Sequence, residues 1–386
     1  MTVNRRGATS TLTSVTAASI AGLLLLLAAK PVHAEEPGTE RQLEPGERYE
    51  DELAVDDVHA WQFDAGYDQY IELDTEFLTT EIGLRFYRPG EESPYMTRIP
   101  EQYGGGMGIR LITERPGTWR VDVIPAQVGL SGRYAIRISQ PRTPTEEERL
   151  LTQTGTWIYE GLEDIQNGLY PEGEAKLYDA LNTREQILGR NHQEVGTVYE
   201  VIADHYYGRG RYAEALEMLG IAADIEQAVT GSVGLTLLNN MGTVADMSGD
   251  HVLAIEYLER SVAERTAQLG AEHPRVGISL DNLGLVYERL GRFVEAEELF
   301  LRAKGIFETS LGPDHYYVSW PLTFLARIYE TQGRIEEAEE FHRRGLEMRE
   351  ERTGPNSSLT LVSRTKFARF LQNQQRHEEA EEIFRE

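Results

Sequence analysis

Apolar residues alternate with polar ones between residues 43 and 138 of this chain. In the stretch 119–123, for example, a tryptophan and two valines alternate with charged side chains. This period of two directs successive side chains to opposite faces of a β-strand. Turn signals such as Pro116-Gly117 separate the alternating stretches at short intervals. The pattern predicts an all-β sandwich of the jelly-roll kind over residues 43–140.

From Thr143 the apolar positions recur with the period of an α-helix, and Thr145 with Glu148 forms a predicted capping box. A glycine that ends one predicted helix then recurs at intervals of 42 residues, with one interval of 39. The positions are Gly168, Gly210, Gly249, Gly291 and Gly333, with Gln375 in the sixth place. This repeat predicts an all-α solenoid of about six helical hairpins over residues 145–386, the last of them incomplete.

One unit of the repeat carries the tetratricopeptide (TPR) signature, in which small residues let two helices approach and large residues fill the contact. The matching residues are Leu280, Leu283, Gly284, Tyr287, Ala296 and Phe300. A common TPR has about 34 residues, and the additional length here lies around 269–274 and 311–315. The array therefore resembles the kinesin light chain type of TPR. This resemblance implies a surface that binds proteins.

The alternating segment is similar to the bacterial pre-peptidase C-terminal (PPC) type of β-sandwich. The matching phrases are Leu43-x-Pro45-Gly46-Glu47, Val58 to Phe63 before Ala65-Gly66, Phe86-x-x-Pro89-Gly90, Pro116-Gly117-Thr118-Trp119 and Gly132-x-Tyr134. A PPC-like sandwich before TPR units of 42 residues resembles the front half of bacterial proteins that end in a caspase-like (CHAT) peptidase domain. The catalytic His/Cys pair of that family lies after the repeats, and this sequence has no cysteine. The resemblance therefore implies an architecture and no protease.

Residues 1–34 have the organisation of a secretory signal peptide, with two early arginines and an apolar stretch over 17–29. Small residues ending at Ala34 form the predicted cleavage site, so we expect a mature chain that begins at Glu35, a linker over 35–42, and a periplasmic or extracellular location. The alternative is an uncleaved anchor. The apolar stretch is short for this role, because a bilayer needs about 20 residues, and no comparable stretch follows it.

Acidic residues outnumber basic ones along the whole chain, with 64 Asp+Glu against 38 Lys+Arg and a formal net charge of -26. Since the segment 1–34 holds three basic residues and no acid, the mature chain would carry 35 basic groups and a charge of -29. This excess disfavours nucleic acid as a partner. It fits a solvated surface or a basic partner. The absence of cysteine excludes disulfides, thiolate nucleophiles and cysteine zinc sites.

No catalytic motif stands out, and we predict no enzyme activity, cofactor or metal site. The glycines at 104–106 fit a hairpin loop better than a phosphate cradle. Acidic pairs at 56–57 and 91–92 fit turns better than a calcium site. Three histidines recur at equivalent places in successive units: His192, His273 and His315. Stacked repeats hold such places too far apart to share an ion, so we interpret them as loop and helix-capping residues.

The TPR resemblance also implies which residues line a groove. In such arrays the first helix of each hairpin faces the groove, with positions two before, one before and two after the Leu-Gly pair pointing into it. The predicted groove residues are Glu200, Asp204, Asn239, Asn240, Thr243, Asp281, Asn282, Trp320, Thr323, Phe324, Arg327, Lys366 and Arg369. The groove changes from acidic in the early repeats to basic in the late ones. We therefore expect the acidic part of a bound segment near the late repeats.

Two asparagines, Asn240 and Asn282, occupy the place where kinesin light chain-type repeats hold a peptide backbone. An amide both donates and accepts, so it can bind an extended segment without reading its sequence. The equivalent residues Val201, Phe324 and Lys366 depart from this pattern. Two interpretations remain open: these asparagines hold a ligand, or they only bridge adjacent hairpins.

The leading hypothesis is a non-enzymatic scaffold in the cell envelope or outside the cell that binds a protein or peptide segment, with no membrane span after signal cleavage. One alternative is an accessory or inactive relative of an exported CHAT-type peptidase system. Another is a carbohydrate-binding or matrix-binding protein that uses sandwich tyrosines such as Tyr87, Tyr95 and Tyr103. The incomplete last hairpin would leave an uncovered apolar edge, so we also expect fraying there, a truncated product or self-association.

Overall fold

The computed structural model describes residues 41–54, 57–77, 82–94, 96–98, 106–125 and 132–385. The predicted signal peptide, residues 1–34, lies outside the described residues. The chain forms two compact units, Met1–Val198 and Tyr199–Glu386. None of the helices in the described ranges is both long enough and apolar enough to cross a membrane.

In the described part of the first unit, nine strands form two sheets. Their bounds are β1 Arg41–Gln42, β2 Arg48–Leu53, β3 His59–Ala65, β4 Tyr70–Phe77, β5 Ile82–Tyr87, β6 Met96–Arg98, β7 Gly106–Ile112, β8 Gly117–Pro125 and β9 Gly132–Ile138. One sheet has the order β1-β3-β8-β5-β6 and the other β2-β9-β4-β7. Strand β1 pairs in parallel with β3, while the other pairs are antiparallel. The predicted all-β sandwich is confirmed.

The alternation seen in the sequence becomes the core between the two sheets. Trp119, Val121 and Val123 of β8 are fully buried there, together with Leu84 of β5 and Ile136 of β9. Each such side chain stabilises the fold by about 1.5–3 kcal/mol relative to an exposed one. The polar residues between them lie on the outer faces of the sheets. The sandwich therefore has one core, as the period of two predicts.

Twelve helices follow among the described residues and pair into six hairpins, which confirms the predicted all-α solenoid. Their bounds are α1 Glu146–Gln166, α2 Tyr170–Leu188, α3 Gln193–Gly208, α4 Tyr212–Thr230, α5 Leu235–Ser248, α6 His251–Leu269, α7 Pro274–Arg289, α8 Phe293–Leu311, α9 Ser319–Gln332, α10 Ile335–Thr353, α11 Ser358–Asn373 and α12 His377–Arg385. A 3₁₀ turn over Tyr316–Val318 precedes α9. The boundary between the two compact units falls within α3.

An ion pair within the first unit connects the first hairpin to the sandwich. The guanidinium of Arg149 on α1 donates to both carboxylate oxygens of Asp68 in the β3–β4 turn, at 2.5 and 2.7 Å. A capping box begins α1, because Thr145 and Glu148 each accept from the backbone N–H of the other. The capping box predicted from the sequence is therefore present.

Glycine permits close contact between the two helices of the best-matching hairpin. A Cβ added at Gly284 of α7 would lie 2.6 Å from the ring of Phe300 on α8, which is closer than real Cβ contacts. Helix ends use glycine for a different reason. Gly249, for example, has φ of +92° at the end of α5. In the sixth repeat Gln375 takes the same left-handed conformation, with φ of +61°.

Three successive joints between hairpins in the second unit, from α6 onwards, are of two kinds. At one joint the buried guanidinium of Arg265 on α6 donates to the carbonyls of Leu235 and Arg275 and to the hydroxyl of Ser279. At the next joint the equivalent residue is Phe307, whose ring lies 5.6 Å from that of Tyr317. The joint after that again has an arginine. Arg349 on α10 donates to Ser319 and Ser363. Guanidinium joints thus flank an aromatic one.

The three repeated histidines begin helices. His273 and His315 each accept a hydrogen bond from the backbone N–H two residues later, and His192 does the same with Glu194 at 3.2 Å. This is the capping role predicted from their recurrence. Within the described ranges, no group of three or more His, Cys, Asp or Glu side chains could hold a metal ion. Asp56 and the glycines at 104 and 105 lie outside these ranges.

Candidate protein-binding surface

The predicted groove residues of the second unit divide into a buried set and an accessible set. Side chains of the buried set lie in the packing between helices: Asn239, Thr243, Asp281, Asn282, Trp320, Thr323 and Phe324. The accessible set comprises Glu200, Asp204, Asn240, Arg327, Lys366 and Arg369, of which Arg369 is exposed and the others are half-buried. We call this accessible set the first-helix strip, because its members lie on α3, α5, α9 and α11, the first helices of their hairpins.

One of the two predicted backbone-binding asparagines bridges adjacent hairpins. The side-chain amide of Asn282 on α7 donates to Oδ1 of Asn239 on α5 at 3.1 Å, and the hydroxyl of Ser279 donates to the same oxygen at 3.1 Å. Asn282 is 4 % exposed and Asn239 is 6 % exposed. The bridging interpretation therefore describes Asn282. Asn240 remains half-buried and belongs to the strip.

The buried hydroxyl groups of this set donate hydrogen bonds to nearby carbonyls, and its aromatic rings pack against neighbouring rings. Thr243 and Thr323 each donate to the carbonyl four residues earlier, at 3.0 and 2.8 Å. The ring of Phe324 lies 5.0 Å from that of Phe300, and the ring of Trp320 lies 4.5 Å from that of Tyr317. These residues hold the hairpins together. Sequence position alone did not separate them from the strip.

Asp281 on α7 differs from the other buried residues because its side chain is ionisable. It is fully buried, at 0 % exposure. Neither of its carboxylate oxygens has a hydrogen-bond partner among the described residues. Burial raises the pKa of its carboxyl well above the usual range. The carboxyl is therefore protonated over a wider pH range than an exposed one.

Polar pairs connect one first helix to the next beside the strip. Arg289 of α7 pairs with Asp246 of α5, and Arg327 of α9 pairs with Glu288 of α7. Asn373 of α11 donates to Glu330 of α9 at 2.9 Å. The acceptors Asp246, Glu288 and Glu330 occupy equivalent places in successive repeats, so these pairs align the first helices. The sequence analysis missed Glu288, although its charge is opposite to that of Arg327 about one repeat later.

Charge changes along the first-helix strip. Its early members, Glu200 and Asp204, are acidic, and Asn240 is neutral. Its late members are Arg327, Lys366 and Arg369, and Arg327 lies 5.6 Å above the ring of Phe324. The strip is therefore a polar surface with a negative early end and a positive late end.

The sandwich tyrosines were predicted as possible contacts for a carbohydrate or a matrix. Tyr87 is buried on β5, where the guanidinium of Arg120 lies 3.7 Å from the centre of its ring. It is therefore a packing residue, which removes it from the predicted carbohydrate or matrix contacts. Tyr95 and Tyr103 lie outside the described residues.

Family comparisons identify the helical region. A tetratricopeptide-repeat model matches residues 164–225, 235–309 and 279–351. A second tetratricopeptide-repeat model matches residues 360–386. The two together cover more than half of the chain, and neither describes an enzyme family. No curated protein matches the sequence.

The solved structures that this chain matches include TPR-like repeats and a pre-peptidase C-terminal domain. The chain is 26 % identical to nearly identical TPR-like repeats of a kinesin light chain protein from Podosopora anserina, with a TM-score of 0.41 and coverage of 50 % of this chain and 93 % of that one. The quorum sensor NprR from B. thuringiensis is 15 % identical, with a TM-score of 0.47 and coverage of 61 % and 62 %. The pre-peptidase C-terminal domain of a collagenase from Bacillus anthracis is 9 % identical, with a TM-score of 0.24 and coverage of 28 % and 100 %.

Proposed function

We propose that this chain, which belongs to the tetratricopeptide-repeat proteins through its helical region, is a non-enzymatic scaffold that binds a segment of another protein along the first-helix strip. The observation that carries this proposal is the strip itself. Its polar side chains stay accessible on the first helices α3, α5, α9 and α11, whereas the other predicted groove positions, including both on α7, are buried in the packing.

The chemistry of the strip suits an extended segment of polypeptide. The amide of Asn240 can donate to a carbonyl and accept from an N–H of a bound backbone. Ionised groups at both ends of the strip can pair with charged side chains of the partner. Because the two ends differ in sign, a bound segment has a preferred direction.

The same proposal includes the cellular location of this scaffold. The arrangement of charged, apolar and small residues in the segment 1–34 supports export to the periplasm or beyond the cell. The pre-peptidase-like phrases of the sandwich support an exported setting in the same way. An exported chain without cysteine needs no oxidative folding step.

The absence of cysteine makes a direct test possible. A single cysteine at Asn240→Cys would place a photo-crosslinker in the strip of the full chain. Arg302→Cys on the second helix α8 gives an exposed control outside the strip. Tyr67→Cys, at a residue 72 % exposed, probes the sandwich. Each labelled protein would be irradiated with an envelope fraction and its adducts identified by mass spectrometry.

The proposal expects one defined partner segment crosslinked from position 240 and not from position 302. The same partner should then bind the unlabelled chain in purified form. Adducts obtained only from position 67 would move the binding surface to the sandwich. Equal adducts from positions 240 and 302 would show non-specific contact and contradict the proposal.

A further inference from the structure

A histidine is buried between the two sheets of the sandwich, at the first residue of β3. His59 is 7 % exposed. Four titratable or charged side chains face its imidazole, from β1, from β2, from the residues before β3 and from β9. They are Arg41, Asp51, Asp57 and Tyr134. We call these four residues and His59 the His59 cluster.

The contacts of the two ring nitrogens assign a neutral imidazole with its proton on Nε2. Nε2 lies 3.2 Å from the carboxylate of Asp57 and donates to it. Nδ1 lies 3.1 Å from the guanidinium of Arg41. A guanidinium only donates, so Nδ1 is the acceptor and carries no proton.

The hydroxyl of Tyr134 supports the same assignment. It lies 2.9 Å from Nδ1 of His59, and it accepts from Nε1 of Trp61 at 2.9 Å. Burial raises the pKa of Tyr134 to about 12, so this hydroxyl keeps its proton. That proton is then directed at Nδ1, which accepts from two groups.

Strand β1 is short, and Arg41 connects it to both sheets. The strand pairs with β3 over residues 41 and 42. The guanidinium of Arg41 lies 5.5 Å from the ring of Trp61 on β3, and it also pairs with Asp51 of β2. Leu43, which follows, is buried in the core. Attachment of the two residues before Leu43 therefore depends strongly on the surroundings of Arg41.

Protonation of His59 at Nδ1 reverses its contact with Arg41. The nitrogen becomes a donor with a positive charge, so it repels the guanidinium instead of accepting from it. Its new N–H can donate to Asp51, whose carboxylate lies 3.2 Å away. On the other side of β3, strand β8 places the apolar Val123 opposite His59. Protonated His59 and Arg41 thus compete for Asp51.

The direction of the pKa shift agrees with this geometry. Burial, followed by the charge of Arg41, lowers the pKa of His59, and Asp57 opposes the shift. The imidazole therefore binds a proton less readily with Arg41 in place than after Arg41 has left and water has entered. The attached form is favoured above the ordinary imidazole pKa, and it loses this advantage as pH falls through that value towards the lowered one.

We propose that the His59 cluster is a pH-sensitive latch, which holds strand β1 on the sandwich at neutral pH and releases it in mildly acidic surroundings. Release of residues 41 and 42 uncovers the backbone of β3 at the edge of its sheet, where an extended segment can pair. The latch lies within the sandwich and acts independently of the first-helix strip. No covalent step is involved.

The test follows β1 directly in the full chain, which has no cysteine of its own. Gln42→Cys carries a nitroxide label on an exposed residue of β1, and Tyr67→Cys carries the same label in the β3–β4 turn. Electron paramagnetic resonance gives the mobile fraction of each label. We expect the ratio of mobile to immobile label at position 42 to rise about tenfold between about pH 7.5 and 5.5, because uptake of one proton permits at most about a tenfold change per pH unit. The label at position 67 should not change.

Variants separate the latch from a general effect of acid. His59→Gln keeps an acceptor for Arg41 and does not titrate, so the response at position 42 should fall below about twofold. Arg41→Met keeps an unbranched side chain beside Trp61 and removes the repelled cation, so the same loss is expected. His377→Gln changes an exposed histidine of α12 and should respond like the parent chain. Circular dichroism would confirm that the variants are folded.

Constant mobility at position 42 over this pH range would overturn the inference. A full response in Arg41→Met, or an equal response at position 67, would also overturn it, because the change would then have another cause than release of Arg41. If His59→Gln does not fold, Arg41→Met decides alone, since its side chain is 36 % exposed and its removal leaves the core intact.

Discussion

Asp281 shows how one residue can make this protein sensitive to pH. Its carboxyl is fully buried and has no partner among the described residues, and burial raises its pKa. In the unfolded chain the same carboxyl has an ordinary pKa and loses its proton at lower pH. The unfolded state therefore binds fewer protons than the folded state at intermediate pH, and stability falls as pH rises from the ordinary carboxyl value towards the raised one.

We therefore predict that Asp281→Asn removes most of this pH dependence. The variant should exceed the parent chain in free energy of unfolding by on the order of 1 kcal/mol at pH 7 and should match it near pH 4. Urea titrations at several pH values would measure both curves. The exposed Asp314 supplies the control, since Asp314→Asn should leave the slope unchanged. Parallel curves for Asp281→Asn and the parent chain would contradict the prediction.

The first-helix strip shows that sequence position predicts the helix on which a residue lies but does not predict whether its side chain is buried. Its six members came from the TPR resemblance, which placed them correctly on first helices. The same rule also selected Asn239 and Asp281, which the packing buries. Residue type could not separate the two sets, because an asparagine bridging two hairpins and an asparagine facing solvent look alike in sequence. The distinction depends on how closely neighbouring first helices approach.

Close approach within a hairpin depends on single glycines. At Gly284 an added methyl group would collide with the ring of Phe300, whereas at Gly305 of α8 it would meet no atom within 4 Å. Both glycines lie inside helices, where alanine is intrinsically better. Substitutions at these two positions therefore separate the effect of packing from the effect of helix propensity.

We predict opposite effects for these two substitutions. Gly284→Ala should destabilise the helical region by about 1–3 kcal/mol, because the hairpin must open to accept the methyl group. Gly305→Ala should stabilise it by about 0.5–1 kcal/mol. Differential scanning calorimetry of both variants beside the parent chain would measure the difference. A stabilising Gly284→Ala would show that the hairpin can relax at this contact.

The helices and strands of this structure were predicted better than the contacts between them. The change from a period of two to a helical period separated the sandwich from the solenoid, and the recurring glycines placed the ends of first helices. Gln375, in the sixth place of the repeat, has the left-handed backbone conformation of the glycines that it replaces. The contacts between repeats, such as Glu288 with Arg327, were not predicted, because they join residues that no local pattern relates.

At the scale of the whole molecule, we predict that the protein is exported after cleavage behind Ala34. N-terminal sequencing of the protein recovered from the cell envelope or medium should give Glu35 as the first residue. Ala34→Arg should block this cleavage, because the peptidase needs a small residue at that place. Recovery of the parent protein with Met1 still present would refute cleavage and favour an anchor.

The two kinds of joint between hairpins have a consequence for the history of the repeats. Arg265 and Arg349 donate hydrogen bonds to groups that the neighbouring first helices supply, whereas the intervening Phe307 requires the space above Gly277 and the ring of Tyr317. Duplication of the hairpin α9–α10, for example, would bring the guanidinium of Arg349 against the Tyr317 ring of the copy. Single repeats in this part of the solenoid are therefore not interchangeable, and an insertion that preserves these three joints must add hairpins in pairs.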